Sequence, residues 1–365
     1  MKTYALLADA WGGHGGIAVF NRDLVTALLD ENPEASVTAA PRVISHSIGD
    51  LPDRLSYRVG AASGTAAFVR TLLTDMPAIV RSDMIYCAHV NLAPIAWVLG
   101  RLSRRPVLCA LYGYEAWSSP SRKIADWAVR RMDRYYAISS FTRDRFVAWS
   151  GVPLDRIELL PNAIHLDHYA PGPKDKGLAT KLGLEGASPV LMTFGRLVSR
   201  ERAKGFDEVL DILPRLLKRF PQLIYVIAGD GDDRERLEAR VVDEELVSHV
   251  VFTGLVDEQD KADLYRLADL YVMPSRGEGF GFVFLEALAS GIPVIASTID
   301  GSRDAVRNGE LGRMVDPDDP DALFASISDA LAENRRGDVP EGLSHFSFHR
   351  FVERVHALAG RTLAG

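Results

Sequence analysis

Short apolar segments alternate with amphipathic ones along this chain of 365 residues, and the alternation restarts after an interruption near its middle. In the first half, apolar runs predict strands at residues 4–8, 36–40, 84–88, 106–111, 134–138 and 157–160, with helices between them. In the second half, the pattern predicts strands at 190–194, 223–228, 250–252, 270–273 and 293–296, and helices at 206–220, 234–244, 258–267 and 282–289. Strands that alternate with helices form parallel sheets covered on both faces. The sequence therefore predicts an α/β chain with two doubly wound domains.

The interruption sets the predicted domain limits. Residues 166–188 contain Pro171, Pro173 and several charges with only weak periodicity, which is typical of a linker. The predicted domains are then residues 1–165 and 189–344, and the pattern closes with a helix at 345–365. Doubly wound sheets bind ligands beyond the carboxyl ends of their strands, so we expect a ligand cleft between the two domains.

Cysteine usage and hydropathy favour a soluble cytoplasmic protein. Cys87 and Cys109 both lie in apolar runs, and two cysteines make neither a disulfide framework nor a metal site. We expect buried, reduced thiols. No signal peptide is predicted, and the apolar stretch at 92–102 is too short and too interrupted to span a bilayer.

Charge is distributed unevenly between the two halves. Residues 1–170 carry 18 Lys/Arg and 16 Asp/Glu, whereas residues 171–365 carry 24 and 33. The arginines of the first half cluster at Arg101, Arg104, Arg105, Arg130, Arg131, Arg134, Arg143 and Arg145. They are interpreted either as solvated helix faces or as a surface that meets anionic lipid, which would make the protein peripheral at the inner face of the membrane. The net charge of −7 argues against a nucleic-acid partner.

The most informative segment runs from Pro274 to Pro293. A strand ends there, a turn containing Gly277, Gly279 and Gly281 follows, and an almost wholly apolar helix then carries Glu286. A carboxylate in a buried helix is costly without a hydrogen-bond partner, so Glu286 should have one. The glycine turn lets backbone N–H groups approach an anion at a helix N-terminus. The alternative is a structural strand–turn–helix with an incidental glutamate.

Two cations lie near the end of the strand at 190–194. Arg196 follows Gly195, and Lys204 precedes Gly205 at a predicted helix start. At the carboxyl edge of a parallel sheet they are placed to neutralise a diphosphate leaving group. Alone, such a pair is commonplace on a surface loop.

A third glycine cluster, Gly12-Gly13-His14-Gly15-Gly16, follows the first strand. Its spacing differs from the dinucleotide fingerprint, so it indicates only that backbone can approach a phosphate or a sugar. A simple tight turn is the alternative.

Together these features resemble the retaining GT-B glycosyltransferases of family 4. The resemblance depends on Arg196, Lys204, the Gly229-Asp230-Gly231 segment, the Gly254-Leu255 turn and the Glu278-x7-Glu286 block, and it covers almost the whole chain. It implies two Rossmann-like, doubly wound domains facing an interdomain cleft, with the C-terminal helix crossing back to the first domain.

The resemblance also implies residue roles. Arg196 and Lys204 hold the diphosphate, Glu278 binds sugar hydroxyls, and these three are the expected catalytic residues. The expected donor-binding residues are Gly13, Gly15, Gly16, Tyr112, Gly229, Gly231, Leu255, Gly279, Phe280, Gly281 and Glu286, with Glu286 on the ribose. Many relatives have a His-Gly pair where this chain has Tyr112-Gly113. Tyr112 can donate a hydrogen bond but cannot become a cation, and Glu115 or His14 is a candidate substitute.

The implied reaction moves a sugar from a UDP- or GDP-sugar to an acceptor hydroxyl with retention of configuration. The expected acceptor is a carbohydrate or a lipid-linked molecule, met by loops at residues 41–68 and 115–123. No acidic DxD cluster or His/Cys constellation demands a metal, so no cofactor is expected. Two alternatives stay open: a nucleotide-sugar epimerase on the same scaffold, and a non-catalytic nucleotide-sugar-binding subunit.

Overall fold

The chain forms two compact units, each with its own parallel sheet. The computed structural model describes residues 1–119, 123–200 and 202–365. The first unit contains residues 1–163 and 348–365, and the second contains 164–347. The predicted linker at 166–188 therefore lies inside the second unit, where it includes a short helix.

The first unit is built on a seven-stranded sheet in the order β3-β2-β1-β4-β5-β6-β7. Every neighbouring pair is parallel. Its elements are β1 (Lys2–Leu7), α1 (Gly16–Asp30), β2 (Ser36–Pro41), β3 (Leu55–Tyr57), α2 (Thr65–Thr74), α3 (Met76–Arg81), β4 (Met84–Cys87), α4 (Ala93–Ser103), β5 (Val107–Leu111), α5 (Tyr114–Trp117), α6 (Lys123–Val129), β6 (Arg134–Ala137), α7 (Ser140–Ser150) and β7 (Ile157–Leu159). Part of the loop expected to meet the acceptor falls on residues 120–122, outside the described residues.

The second unit has a six-stranded parallel sheet in the order β10-β9-β8-β11-β12-β13. Its elements are α8 (Lys176–Lys181), β8 (Val190–Phe194), α9 (Phe206–Arg219), β9 (Ile224–Ala228), α10 (Arg234–Asp243), β10 (Val250–Phe252), α11 (Lys261–Leu267), β11 (Leu270–Val272), α12 (Phe282–Ala289), β12 (Val294–Ser297), α13 (Ser302–Ala305), β13 (Arg313–Val315) and α14 (Pro320–Glu333).

The final helix, α15 (Phe348–Ala364), belongs to the first unit. Its Phe351 ring lies 5.4 Å from that of Phe20 in α1, and His356 Nε2 lies 2.8 Å from the carbonyl oxygen of Ala27. The chain thus leaves the first unit after β7 and re-enters it with α15.

Apolar strands buried on both faces explain both sheets. The first core contains β1, β4 and β5 residues such as Leu6, Ile85 and Cys109, and the second contains Leu191 and Ile227 of β8 and β9. Both cysteines are buried free thiols, as predicted. Two doubly wound α/β domains are confirmed.

Candidate active site

Each sheet has one position where the strand order reverses, and ligands of doubly wound folds bind beyond the strand ends there. In the second unit this position lies between β8 and β11. The chain after β8 carries Arg196, and the chain after β11 carries Glu278. Sequence positions about eighty residues apart therefore meet at the same sheet edge.

Lys204 and Glu278 form an ion pair at this edge, although 74 residues separate them. Both side chains are partly exposed, so a ligand can reach them. Gly205 has a φ of +81°, and a Cβ there would lie 2.6 Å from Cδ of Pro274. The glycine thus lets the Lys204 loop rest against the end of β11. Two of the three predicted catalytic residues are in direct contact.

Asp300 fixes the turn that carries Glu278 through hydrogen bonds. Sequence analysis did not identify Asp300. This carboxylate is fully buried and accepts hydrogen bonds from Glu278 N (2.7 Å), Ser275 Oγ (2.7 Å), Ser302 N (3.0 Å) and Ser302 Oγ (2.6 Å). Burial raises the pKa of Asp300, while these hydrogen bonds oppose the shift. The only signal in the sequence is an Asp-Gly-Ser turn that begins three residues after the end of β12.

The glycine turn itself is packed tightly against the same segment. Gly301 N donates to Glu278 O at 2.9 Å, and a Cβ at Gly301 would lie 2.1 Å from Gly279 O. Gly279 N donates to Glu278 Oε1 at 3.1 Å. Gly281, with a φ of +94°, immediately precedes α12. Phe280 is fully buried, with its ring 5.5 Å from that of Phe346, so only its backbone can face a ligand.

Glu286 has the partners that its burial requires. The carboxylate is 6% exposed, accepts a hydrogen bond from Tyr265 OH at 2.8 Å, and lies 3.4 Å from Lys261 Nζ. Burial alone would lower the pKa of Lys261, but the charges of Glu286 and Glu258 outweigh it and the net pKa is raised. Burial raises the pKa of Tyr265, and the charge of Glu286 adds to the rise. A protonated lysine and an undissociated tyrosine therefore flank Glu286.

Gly229 and Gly231 have a structural reason to be glycine. Their φ angles are +121° and +158°, and Cβ atoms there would lie 2.1 Å from Gly195 O and 2.0 Å from Leu197 O. Leu197 N also donates to Asp230 O at 3.0 Å. The two glycines let the loops after β8 and β9 lie side by side, whether or not they also touch a donor.

Both Arg196 and Leu255 have exposed side chains. Arg196 is exposed and forms no side-chain hydrogen bond or ion pair within residues 1–119, 123–200 and 202–365. Leu255 is 86% exposed. Arg276, by contrast, is bound by Glu208 at 2.8 Å and Asp318 at 2.5 Å. Arg196 is thus available to bind an anion.

In the first unit, the glycine cluster lies where the strand order reverses between β1 and β4. Gly13 N donates to Ala10 O at 3.1 Å, Gly15 has a φ of +88°, and α1 begins at Gly16 without a side-chain cap. Sequence analysis missed Asp9, whose Cβ would lie 2.9 Å from a Cβ at Gly13. Burial raises the pKa of Asp9, and Arg22 and His89 oppose the shift.

Tyr112 is buried, and its hydroxyl belongs to an internal network. It lies 2.8 Å from Asn21 Oδ1, 2.8 Å from Tyr86 OH and 3.1 Å from Tyr136 OH. Glu115 Oε1 accepts from the Tyr112 and Gly113 backbone N–H groups, at 2.8 and 3.0 Å. The Tyr112 hydroxyl is therefore occupied inside the unit, which gives no support to its predicted contact with a donor sugar.

Among the described residues, no group of three or more His, Cys, Asp or Glu side chains is arranged to hold a metal ion. No helix in the described ranges is long and apolar enough to cross a membrane.

Two family models match the two halves of the chain. The family model "Glycosyltransferase Family 4" matches residues 14–168, and "Glycosyl transferases group 1" matches 188–333. A GDP-mannose-dependent alpha-(1-6)-phosphatidylinositol monomannoside mannosyltransferase of Mycolicibacterium smegmatis is 34% identical over 261 residues, covering 67% of this chain and 66% of the relative. A phosphatidyl-myo-inositol mannosyltransferase of Mycobacterium tuberculosis is 35% identical over 187 residues, covering 51% and 46%. Both matches span less than two thirds of the relative.

Solved structures share the fold at low identity. The crystal structure of Anabaena HepE in complex with UDP has a TM-score of 0.79 and 19% identity, covering 99% of this chain and 100% of that one. The two family-model matches include Gly15 and Gly16 of the first glycine cluster, the glycine turn at 277–281 and the Lys204–Glu278 pair. This chain is a member of glycosyltransferase family 4, the glycosyl transferases group 1, and has its GT-B fold.

Proposed function

We propose that this protein transfers a hexose from a nucleoside-diphosphate sugar to an acceptor hydroxyl, with retention of anomeric configuration. The observation that carries the proposal is the Lys204–Glu278 ion pair at the β8–β11 edge, where Glu278 N also donates a hydrogen bond to Asp300. It joins a cation suited to a phosphate and a carboxylate suited to sugar hydroxyls within one contact. In a glycosyl phosphate, the phosphate is attached to the anomeric carbon and the hydroxyls are on other carbons of the same sugar.

Catalysis in this proposal rests on the leaving group. The bond between the anomeric carbon and the phosphate oxygen breaks, its electron pair stays on the diphosphate, and the acceptor oxygen bonds to the same carbon. The acceptor proton passes to the departing phosphate. Arg196 and Lys204 stabilise the developing negative charge, and this needs no protein nucleophile.

For the donor we propose GDP-mannose, and for the acceptor a lipid-linked molecule. The support is the name of the relative from M. smegmatis, a GDP-mannose-dependent enzyme of a phosphatidylinositol lipid, at 34% identity. The HepE structure contains UDP, but at 19% identity the likeness supports only the fold and not the choice of nucleotide. Thermal unfolding with GDP, UDP and their sugars tests the donor, because a bound ligand stabilises the folded state by mass action. A shift with UDP but not GDP would contradict the donor assignment.

Lys204→Ala tests the phosphate role. Removing one charged hydrogen-bond donor that stabilises the leaving group lowers kcat by roughly 100-fold or more. Since Lys204 is partly exposed, we expect little change in unfolding temperature. Lys218→Ala, an exposed lysine of α9, is the matched control. Near-normal turnover of Lys204→Ala would remove the proposed role.

Glu286→Gln tests the ribose contact. Glu286→Ala is a poorer variant, because it leaves the Tyr265 hydroxyl and the Lys261 ammonium without their buried acceptor. The glutamine keeps an acceptor oxygen and the side-chain shape. We expect KM for the donor to rise more than kcat falls, and an unchanged KM would count against the assignment.

A non-catalytic nucleotide-sugar-binding subunit is the second candidate, because the Tyr112 hydroxyl is buried where many relatives have a histidine. Product analysis separates the candidates. A glycosylated acceptor with the retained anomer supports the transferase, whereas donor binding without turnover supports the subunit. An epimerised nucleotide sugar formed from donor alone would overturn both.

A further inference from the structure

An exposed surface of the first unit combines cations with large apolar side chains. It lies on α4, on α6 and on the turns that follow them. Its cations are Arg101, Arg104, Arg105, Arg130 and Arg131. We call it the arginine–tryptophan surface, because Trp97 and Trp127 join the two helices with ring centroids 4.4 Å apart.

The arginines of this surface lack acidic partners. Within residues 1–119, 123–200 and 202–365, none of the five forms an ion pair. Arg105 and Arg131 donate to the backbone oxygens of Val80 and Trp127. The neighbouring carboxylate of Asp133 accepts from Val107 N at 2.8 Å. The positive charge is therefore not neutralised within the described part of the chain.

Four of the arginines converge on one cavity. The cavity has a volume of about 320 Å³ and is lined by Arg101, Arg104, Arg105, Arg131 and one acid, Asp133, with Trp97 at its wall. Arg101 stacks over the Trp97 ring at 5.8 Å, and Arg131 stacks over Trp127 at 4.5 Å. The guanidinium groups of Arg101 and Arg131 thus lie on aromatic faces and keep N–H groups available to an anion.

Apolar side chains surround these cations in solvent. Leu102 is 66% exposed, Ile124 is 73% exposed and Trp127 is 41% exposed. A purely electrostatic partner such as a nucleic acid would gain nothing from them. A membrane interface favours tryptophan and aliphatic side chains at the headgroup level and arginine against anionic lipid.

We propose that the arginine–tryptophan surface docks the protein on the anionic face of a lipid bilayer. The occupant is argued from charge complementarity: five cations without acidic partners, mixed with exposed apolar groups, match anionic headgroups above acyl chains. Docking deepens the lipid-linked acceptor proposed above and rests on it, since it would hold the enzyme where such an acceptor lies.

The test is co-sedimentation of the whole chain with vesicles of phosphatidylcholine, with and without about 30% phosphatidylglycerol. We expect binding only to the anionic vesicles, weakening between about 0.1 M and about 0.5 M NaCl. Each cation near an anionic surface contributes about fivefold, so Arg101→Gln/Arg104→Gln/Arg130→Gln lowers the affinity on the order of 100-fold. The matched control, Lys176→Gln/Lys181→Gln/Lys218→Gln, removes the same charge from the second unit and leaves binding unchanged.

A second variant tests the apolar component. Leu102→Gln/Ile124→Gln keeps every charge, and we expect it to weaken binding at both salt concentrations. Val242→Gln/Val247→Gln, at two residues 62% exposed in the second unit, is its control and should bind normally. Unchanged unfolding temperatures show that the variants fold.

Three results would overturn the proposal: no binding to anionic vesicles, equal binding by the arginine variant, or a dimer disrupted by that variant without vesicle binding. The dimer would assign the surface to a second copy of the chain. Sedimentation requires no turnover, and GDP binding requires no vesicle. A failure of docking and a failure of the proposed transfer are therefore distinguishable.

Discussion

Replacing Asp300 should destabilise the second unit by an amount that depends on which donors lose their acceptor. Each carboxylate oxygen accepts one backbone N–H and one serine hydroxyl: Oδ1 from Ser302 alone, and Oδ2 from Glu278 N and Ser275 Oγ. Asparagine offers one oxygen and one NH2 group. A serine hydroxyl can turn to accept from that NH2, but a backbone N–H cannot. Asp300→Asn therefore leaves one buried backbone donor unpaired, and Asp300→Ala leaves all four donors unpaired.

The magnitudes follow from the cost of unpaired buried donors. One such donor that lost a charged acceptor costs about 2 kcal/mol, and removing the carboxylate altogether costs about 4 kcal/mol. For a unit of this size, 1 kcal/mol lowers the unfolding temperature by roughly 2–4 °C. We expect a decrease of roughly 4–8 °C for Asp300→Asn and about twice that for Asp300→Ala.

Thermal unfolding followed by circular dichroism measures both variants. Asp243→Asn is the control, because it makes the same chemical change at an exposed position of α10 and should stay within about 0.5 kcal/mol of wild type. If both Asp300 variants unfold within the range of that control, the four hydrogen bonds do not hold the turn and the reasoning is wrong.

Donor kinetics tell positioning from general stability. Asp300→Ala frees the Glu278 backbone, and Glu278 is proposed to contact the sugar rather than the nucleotide. KM for GDP-mannose should therefore rise while the Kd for GDP stays within about twofold, since displacement of a contact group by about 1 Å is itself costly. Equal weakening of both ligands would indicate only a loosened fold.

Three further outcomes are expected. Tyr265→Phe removes the hydrogen bond to Glu286, and urea unfolding should show a loss of about 2 kcal/mol; no loss would mean that Glu286 finds another donor without cost. Gly231→Ala should lower the free energy of unfolding by about 3 kcal/mol or more. Its control is Gly183→Ala, at a positive φ with open space around it, which should lower it by only about 1–2 kcal/mol. Equal losses would show that the backbone moves to relieve the close contact at Gly231. Burial alone would raise the pKa of Asp207, but two arginines of α10 outweigh it and lower the pKa below its ordinary value of 3.8. A lowered pKa contributes stability above pH 3.8 that is lost as the pH falls through the pKa of the folded state. The difference in free energy of unfolding between wild type and Asp207→Asn should therefore be constant from pH 7 to about 5 and shrink below about pH 4. A difference that widens towards acid pH would contradict the ion pairs.

Much of the fold follows from the apolar pattern because both sheets are parallel and buried on both faces. Strands β4, β5 and β9 are continuous apolar runs, and sequence analysis located them within a residue or two. It missed β3 and β13, which are three-residue strands at sheet edges. An edge strand needs little apolar character, since one side has no neighbour and a face can remain wet.

The candidate site was predictable only where a residue type conflicts with its surroundings. Glu286 stands out in an apolar helix, and the partner that its burial demanded is present in Tyr265. Asp300 gives no such conflict, because an aspartate followed by a glycine is ordinary in a surface turn. Its role depends on donors from two separate segments, 275–278 and the turn at 302, and only the folded sheet brings them together.

For the arginine cluster, the sequence shows the residues but not their function. Its charges are plain in the sequence, but a solvated helix face and a docking surface have the same composition. What separates them is whether carboxylates neutralise the arginines and whether apolar side chains lie beside them in solvent. Asp126 and Asp133 are close in sequence to Arg130 and Arg131, yet their carboxylates accept from Ser119 and from a backbone N–H. Within the described residues neither acid forms an ion pair with these arginines, so the cations remain for a partner, and the exposed Ile124 beside them favours a bilayer over solvent.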